Sequence, residues 1–428
     1  MTTIVAVSSG RPPAAIAILR VSGPQALAAV TALVGTLPAP RQAKVRAIRS
    51  ATGALLDRAL VLVFPGPASA TGEDLVELHC HGGRAVIDAV ERAVLTHPDV
   101  RRAEPGEFTR RALIHGRIDL AEAQGLADLL AADTERQRIA AIATAEGRVS
   151  SAVRGWMAEL AMLAARVEAM LDFSDEDDVG DDGVGDDAVA AIRRAMASLA
   201  DRIDAVLAVP PVERLRDGVR VVLAGRPNSG KSTLINALAE RDVAIVTPMA
   251  GTTRDRIEAP VTRSGIPFVL TDTAGLTETD DMVEQIGVGR ARDAIATADI
   301  LLWLDDEIPP RPDALWIYPR ADAPGRSAES GNRRISIARS DPSSIDRLWS
   351  IITDRAQLLI PREDDITLDR RQHDACADAR HALTDPPVDP LLIGEELRRA
   401  SGRLAAILGI DATEAMLDSL FGQFCIGK

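Results

Sequence analysis

The 428-residue sequence contains little cysteine and no long hydrophobic run. Its three cysteines, Cys80, Cys376 and Cys425, form no C-x-x-C pair, which disfavours a disulfide framework and a zinc site. No apolar run approaches the roughly 18 residues that a membrane span requires, and the N-terminus lacks a signal-peptide pattern. We therefore expect a cytoplasmic protein that does not bind a membrane.

A net positive charge is also missing, since the formal net charge is −14. The field of the whole molecule repels nucleic acid, so any RNA contact requires a local basic patch. One candidate patch is the set Arg101, Arg102, Arg110, Arg111 and Arg117, and its competing interpretation is a group of solvated surface arginines. The motif His79-Cys80-His81 is a weak metal candidate, because Cys80 on a strand faces away from both histidines.

The most informative segment, residues 225–232, reads GRPNSGKS and matches the phosphate-binding pattern G-x-x-x-x-G-K-[ST]. An apolar run precedes it and a helical pattern follows it, which is the context that this loop needs. In such a loop Lys231 reaches the β- and γ-phosphates, and the hydroxyl of Ser232 binds Mg²⁺. A glycine-rich turn with a chance lysine is the alternative interpretation.

A second motif, DTAG at residues 272–275, follows an apolar strand. An aspartate at that position can hold Mg²⁺ through water, and the glycine can donate its N–H to the γ-phosphate. Between the two motifs, residues 247–255 offer several hydroxyls, with Thr253 as the expected switch residue. This order of motifs is typical of a GTPase.

The pattern along the chain predicts a multidomain fold of the α/β plus α class. Residues 1–118 form an α+β domain, residues 119–210 and 361–428 form the two parts of a discontinuous helical domain, and residues 217–360 form an inserted Ras-like P-loop α/β domain. The acidic, glycine-containing stretch at 174–187 is expected to be a solvated loop.

Further motifs extend beyond the nucleotide domain. They are ILRVSG at 18–23, TGEDLVEL at 71–78, PGEFTRRA at 105–112, AGTTRD at 250–255, DTAGL at 272–276 and FCIGK at 424–428. With these segments the chain resembles the MnmE (TrmE) family of tRNA modification GTPases essentially from end to end.

The resemblance implies a homodimer with an N-terminal domain that binds 5-formyl- or 5,10-methylene-tetrahydrofolate. By position, the folate contacts are Arg20, Glu77, Arg117 and Lys428, although the family usually has lysine at Arg117. The family works with an MnmG-type FAD protein, as a heterotetramer, and adds an aminomethyl-type (carboxymethylaminomethyl) group at C5 of the wobble uridine of certain tRNAs. Cys425 is a candidate for chemistry, and the alternative is a small apolar residue that packs the last helix.

Ras-like switches use a glutamine after D-x-x-G to orient the attacking water, and this chain has Leu276 at that position. Another residue must therefore orient the water, and another positive charge must stabilise the transition state. In the resembled family a K⁺ ion bound on G-domain dimerisation provides positive charge, and its ligands fall on Asn228, Thr247, Thr252 and the backbone of Met249. The family's water-orienting acid falls on Glu284; Lys231 and Thr253 complete the catalytic set, and Ser232 and Thr253 bind Mg²⁺. The expected nucleotide-binding set is Asn228, Ser229, Gly230, Lys231, Ser232, Thr233, Thr247, Thr252, Thr253, Asp272, Thr273, Ala274, Gly275, Asp322, Ala338 and Arg339.

The guanine-recognition loops depart from the usual GTPase patterns. Residues 319–322 read PRAD instead of N-K-x-D, so Asp322 is present but the asparagine is replaced by proline. Proline lacks both the side-chain amide and the backbone N–H. We expect a weakened but retained guanine preference. Two alternatives stay open: a nucleotide-regulated scaffold with weakened guanine specificity, and a ribosome-assembly GTPase that shares only the nucleotide domain.

Overall fold

The computed structural model describes residues 2–173, 184–226, 228–240, 258–273, 292–322, 334–338, 340–410, 413–422 and 424–427. The chain divides into two compact units, one of Met1–Ala127 with Ala405–Lys428 and one of Asp128–Leu404. The two units do not test the bounds of the four predicted segments, which stay a prediction. The mixed α/β plus α fold class is confirmed.

The first unit contains a six-stranded sheet in the order β3-β4-β5-β2-β1-β6. Its strands are β1 Thr3–Val7, β2 Ile16–Ser22, β3 Lys44–Arg49, β4 Leu55–Phe64, β5 Leu75–His81 and β6 Val100–Arg102. All neighbours are antiparallel except β1 and β6. Its complete helices are Ala26–Val34, Arg84–Leu95, Glu107–Ile114 and Glu414–Phe421.

The sequence of β5 shows why one face of this sheet is covered. Val76, Leu78 and Cys80 alternate along the strand and lie in the core with residues of the helices Ala26–Val34 and Arg84–Leu95. Burial raises the pKa of Cys80 to about 12. Cys80 is therefore a core residue, while His81 beside it is exposed, and the described residues include no cluster of three or more metal-ligating side chains.

Helices form one part of the second unit. They are Glu135–Ala145, Arg148–Phe173, Val184–Leu207, Glu213–Arg216 and Arg370–Leu383, while Leu120–Ala131 and Pro390–Leu408 each extend across a boundary between the units. Thr134 and Asp369 begin their helices with capping boxes, each side chain accepting from the N–H of a glutamine three residues later. No helix within the described ranges is long and apolar enough to cross a membrane.

The second unit also contains a six-stranded sheet, in the order β12-β11-β10-β7-β9-β8. The strands are β7 Val219–Ala224, β8 Glu258–Arg263, β9 Ile266–Asp272, β10 Ile300–Trp303, β11 Leu315–Pro319 and β12 Ile335–Ile337. Only β8 is antiparallel to its neighbour, and the helices Lys231–Ala239 and Ser343–Leu359 pack against the sheet. The carboxyl ends of five parallel strands therefore meet at one edge, where ligands bind in folds of this class.

Candidate functional site

The phosphate loop joins β7 to the helix Lys231–Ala239. Gly225 has φ 147°, and a Cβ there would lie 2.3 Å from the carbonyl oxygen of Leu304, so only glycine fits. Gly230 has φ 102° and stands at the N-terminus of the helix. The Oγ of Ser229 is buried without a hydrogen-bond partner among the described residues. A helix N-terminus and an unsatisfied hydroxyl suit an anion with many oxygens.

Lys231 is 4% exposed and folds back over the loop. Its Nζ donates to the carbonyl oxygens of Gly225 at 3.0 Å and Arg226 at 2.8 Å. Burial lowers the pKa of Lys231, and the charges of Asp272 and Asp305 oppose that shift. The ammonium group is thus held beside the loop in a position from which it can turn to a phosphate.

Ser232 and Asp272, the two predicted magnesium residues that the structure describes, are in direct contact. Ser232 Oγ donates to Asp272 Oδ2 at 2.6 Å, although the residues belong to different motifs. Thr273 follows Asp272, and its Oγ1 donates to the carbonyl oxygen of Leu223 at 2.9 Å, which fixes the end of β9 beside β7. Hydroxyl and carboxylate oxygens form a donor set that fits Mg²⁺.

The base end of the site is a cavity of about 630 Å³ between the helix Lys231–Ala239 and the ends of β11 and β12. Asp322 lies at its wall, and its Oδ2 accepts from the backbone N–H of Ser340 at 2.9 Å. Arg320 has φ 56°, and its Nε lies 3.8 Å from where a Cβ on Gly230 would be. The lining residues are Gly230, Thr233, Leu234, Ala237, Glu240, Pro319, Arg320, Asp322, Ile337, Ala338, Pro342 and Ile345.

Several predicted site residues lie outside the described residues. They are Thr247, Met249, Thr252, Thr253, Ala274, Gly275, Glu284, Arg339 and Lys428. Asn228, the remaining predicted K⁺ ligand, is in the phosphate loop with φ 59°. The K⁺ site and the water-orienting acid therefore stay predictions.

A second cavity of about 370 Å³ lies in the first unit. Arg20 and Arg117, two of the predicted folate contacts, line it together with Ser69, Ala70, Thr71, Leu75, Phe108, Thr109, Ala112, Ile118 and Leu126. Glu77 joins this group through Arg20, whose Nε donates to Glu77 Oε1 at 2.9 Å. His79 was not predicted at this site, although its Nε2 lies 3.1 Å from Glu77 Oε2; residues two apart on a strand share a face, and this spacing could have indicated the contact.

The C-terminal residues are tied to the N-terminal sheet of the same unit. Ser8 Oγ donates to the carbonyl oxygen of Gly427 at 2.7 Å, and Ile426 forms a β-bridge with Pro105. Cys425 is exposed. The alternative that this thiol packs the last helix is therefore wrong, and its chemical role stays a prediction.

Four of the five arginines in the candidate patch for RNA pair with carboxylates, and one of them is buried, whereas Arg101, Arg102 and Arg117 are exposed; the RNA contact stays a prediction. Arg111 is 3% exposed and donates to Glu73 and Glu107 at 2.7 and 2.8 Å. Arg101 also pairs with Glu107, while Arg102 pairs with Glu91 and Arg110 with Glu414 and Asp418. The buried pair of Glu107 and Arg111 was not predicted, although these residues have the i, i+4 spacing of a helical ion pair.

Comparisons with known proteins agree over both units. The family model "GTP-binding protein TrmE N-terminus" matches residues 3–117, and "MnmE helical domain" matches residues 120–425. The tRNA modification GTPase MnmE of Erythrobacter litoralis is 51% identical and covers 100% of both chains. Those of Sphingopyxis alaskensis and Rhizorhabdus wittichii are 49% and 51% identical, covering 96% and 100% of this chain and 100% and 96% of their own.

One solved structure, the cytosolic domain of the T. maritima FeoB iron transporter in its GDP form, is 18% identical. It covers 44% of this chain and 98% of its own, with a TM-score of 0.24. A likeness of that size carries no inference about this chain.

Proposed function

Since this chain belongs to the MnmE family of tRNA modification GTPases, we propose that it binds GTP with Mg²⁺ and hydrolyses it to GDP. The observation that carries this proposal is the 2.6 Å contact between Ser232 Oγ and Asp272 Oδ2 beside the phosphate loop. Three features needed for phosphoryl transfer, an anion cradle, a lysine and a pair of hard oxygen donors, lie at one sheet edge.

Each described residue has a distinct part in this proposal. The loop from Gly225 to Gly230 surrounds the β- and γ-phosphates with backbone N–H groups, and Lys231 turns from two carbonyl oxygens to the phosphate oxygens. Ser232 and Asp272 hold Mg²⁺, which when bound neutralises charge on the phosphates. Thr253, Ala274 and Gly275 complete the γ-phosphate contacts.

We extend the proposal to K⁺ activation by a second nucleotide domain. Leu276 cannot orient a water molecule, so another cation and another acid are needed, and Asn228 and Glu284 are the candidates. GTP turnover measured in 100 mM K⁺ and in 100 mM Na⁺, at equal ionic strength, tests this directly. We expect hydrolysis to require K⁺, and equal rates in both salts would end the potassium mechanism.

A homodimer through the first unit is part of the proposal. The face of the six-stranded sheet opposite the helices Ala26–Val34 and Arg84–Leu95 carries Ile16 and Val45, which are 60% and 61% exposed. A second copy of this chain is the partner that would cover these apolar side chains. Light scattering of the full chain is expected to give twice the monomer mass of 45.5 kDa.

The cavity lined by Arg20 and Arg117 supports the proposal of a reduced-folate site, with 5-formyl- or 5,10-methylene-tetrahydrofolate as ligand. Two guanidinium groups suit the carboxylates of a folate, and Phe108 and Leu126 offer apolar surface to its rings. Calorimetry with 5-formyl-tetrahydrofolate is expected to show binding that Arg20→Ala removes. Arg58→Ala, an exposed arginine on β4, is the matched control.

The tRNA reaction completes the proposal. With an MnmG-type FAD protein, in a heterotetramer in the cytoplasm, the chain would direct a folate one-carbon unit to C5 of the wobble uridine as an aminomethyl-type group. GTP turnover with and without the flavoprotein, followed by mass spectrometry of the tRNA nucleosides, measures both activities. A chain that hydrolyses GTP but leaves the nucleosides unchanged would retain the GTPase proposal only.

One alternative function has a specific observation in its favour. Pro319 occupies the position of the asparagine that normally ties the base loop to the phosphate loop, and this favours a nucleotide-regulated scaffold with weakened guanine specificity. Equal affinities for GTP and ATP by calorimetry would support the scaffold. The ribosome-assembly alternative has no such support, because the family match extends over residues 3–117.

A further inference from the structure

Arg226, the second residue of the phosphate loop, is bound by two carboxylates that follow β10. Its Nε lies 2.9 Å from Asp305 Oδ1, and its Nη2 donates to Glu307 Oε1 at 2.9 Å. The side chain of Asp305 is 7% exposed, whereas those of Arg226 and Glu307 are 55% and 76% exposed. A buried carboxylate thus has its charge balanced by a guanidinium that is half in solvent.

Backbone contacts hold the segment that carries Asp305. Trp316 Nε1 donates to the carbonyl oxygen of Asp305 at 2.7 Å, and Trp303 Nε1 donates to that of Glu307 at 2.8 Å. The backbone N–H of Glu307 donates to Asp305 Oδ1 at 3.2 Å. These contacts hold both the backbone and the carboxylate of Asp305 beside Arg226.

Asp305 also lies close enough to the phosphate loop for its charge to matter there. The backbone N–H of Leu304 donates to the carbonyl oxygen of Ala224 at 2.7 Å, and Gly225 lies against Leu304. The charge of Asp305 acts on Lys231, as does that of Asp272. A bound polyphosphate therefore meets two carboxylates, of which Asp272 belongs to the magnesium site and Asp305 does not.

We propose that Arg226 is a positioning residue that neutralises Asp305, so that the phosphates of a bound guanine nucleotide are not repelled by a fixed carboxylate. The pair also fixes the first turn of the phosphate loop, whose carbonyl oxygens at Gly225 and Arg226 receive Lys231. This inference rests on the proposed binding of GTP and adds a residue to which that proposal gives no part.

A double-mutant cycle separates charge balance from a merely structural role. GDP and a non-hydrolysable GTP analogue are titrated by calorimetry into the full chain and into R226A, D305N and the double variant. We expect R226A to lower the affinity for both nucleotides about tenfold. Loss of an exposed ion pair has a smaller effect than this and loss of a buried ion pair has a larger one, and this pair is half-buried. The double variant is expected to return to within about threefold of the original affinity, because the carboxylate that remains, Glu307, is 76% exposed and no buried carboxylate is left unbalanced.

Two outcomes overturn the inference: R226A that binds like the original chain, and a double variant that is as weak as R226A. Arg226→Lys is expected to keep most of the affinity, because it retains the charge. Arg138→Ala is the control, since Arg138 pairs with Glu135 at 2.8 Å on the helix Glu135–Ala145 and should not affect binding.

Salt and folding give independent readouts. The loss caused by R226A should shrink in 0.5 M salt because screening weakens the repulsion, whereas a structural loss would persist. Should R226A fail to fold, Arg226→Gln alone and with D305N repeats the cycle. If the original chain binds neither nucleotide, both the proposed function and this inference are wrong. If it binds them but D305N does not restore the affinity lost in R226A, only this inference is wrong.

Discussion

The phosphate end of the nucleotide site depends mainly on backbone geometry, whereas the base end depends mainly on side-chain contacts. At the phosphate end the backbone does most of the work: Gly225 allows a close approach to Leu304, and Gly230 begins a helix at φ 102°. At the base end the contacts come from side chains on exposed loops, with Asp322 held by the backbone N–H of Ser340. Few residue types satisfy a required backbone geometry, whereas the residues that make side-chain contacts can be substituted one at a time.

This difference explains where the sequence departs from the usual GTPase patterns. A side chain at Gly225 or Gly230 meets a positive φ, and one at Gly225 also meets the carbonyl group of Leu304, which explains why the motif GRPNSGKS keeps both glycines. Pro319 and Arg320 replace residues of the base loop without disturbing β11, which ends at Pro319. We therefore expect large losses from changes at the phosphate end and graded losses from changes at the base end.

The largest effect is expected for Lys231→Ala. Its Nζ is the cation expected beside the phosphates. Because the side chain is only 4% exposed, a cation from solvent would not take its place in the variant. We expect GTP turnover to fall by about 10³-fold or more. Lys44→Ala, an exposed lysine on β3, is the matched control and should leave the rate unchanged. A Lys231 variant that keeps a tenth of the activity would contradict the expectation that changes at the phosphate end cause the largest losses.

Gly225→Ala tests how strongly stability depends on the backbone geometry of the phosphate loop. An alanine there meets both φ 147° and a carbonyl oxygen at 2.3 Å, so we expect a loss of about 3 kcal/mol in the free energy of unfolding. Gly265→Ala is the control in the same unit, because φ is 74° but the nearest atom to the added Cβ is Cγ of the Arg136 side chain at 3.5 Å. The control should lose about 1 kcal/mol.

Equal losses in the two glycine variants, measured by urea denaturation, would show that positive φ alone sets the cost. The close approach of the phosphate loop to Leu304 would then have no energetic importance.

The same contrast decides how much could be predicted from the sequence. The phosphate end follows from motifs of fixed spacing: Ser232 is the last residue of the phosphate-loop motif, and Asp272 begins DTAG at the end of β9, so both could be assigned to Mg²⁺. The contact of Arg226 with Asp305 could not be predicted, because it requires β10 to lie beside β7 and no local pattern states that order. Parallel pairing between distant segments depends on the tertiary fold.

The first unit shows the limit in another way. Two-residue and helical periods predicted a mixture of strands and helices in this part of the chain, and Arg20 was assigned to a site by resemblance. The burial of Arg111 was missed, because five arginines on one stretch of sequence suggest a surface. Their acidic partners include Glu73 and Glu414, which are distant in sequence, and only the folded chain brings them together.

Asp322→Asn addresses base recognition. The carboxylate can accept from both N1–H and the 2-amino group of guanine, and an asparagine loses one acceptor and adds a donor. We expect the affinity for GTP to fall about 100-fold relative to that for ATP, because a site built for two hydrogen bonds rejects a mismatch strongly. Asp313→Asn, whose carboxylate pairs with Arg311, is the control and should not affect either nucleotide.

Competitive binding of GTP and ATP to the two aspartate variants is the measurement. A GTP preference that survives Asp322→Asn would mean that other groups in the 630 Å³ cavity read the base.

The smallest effect is expected for Arg320→Ala. Its Nε lies 3.8 Å from where a Cβ on Gly230 would be, so the guanidinium stands beside the phosphate loop in the wall of the cavity. Stacking of a guanidinium on a base also fails to distinguish guanine from adenine. GTP and ATP should therefore both bind about fivefold more weakly, a loss typical of one exposed cation. Arg347→Ala is the exposed control. A selective loss of GTP would make Arg320 a guanine reader, and the base end would then be as strictly specified as the phosphate end.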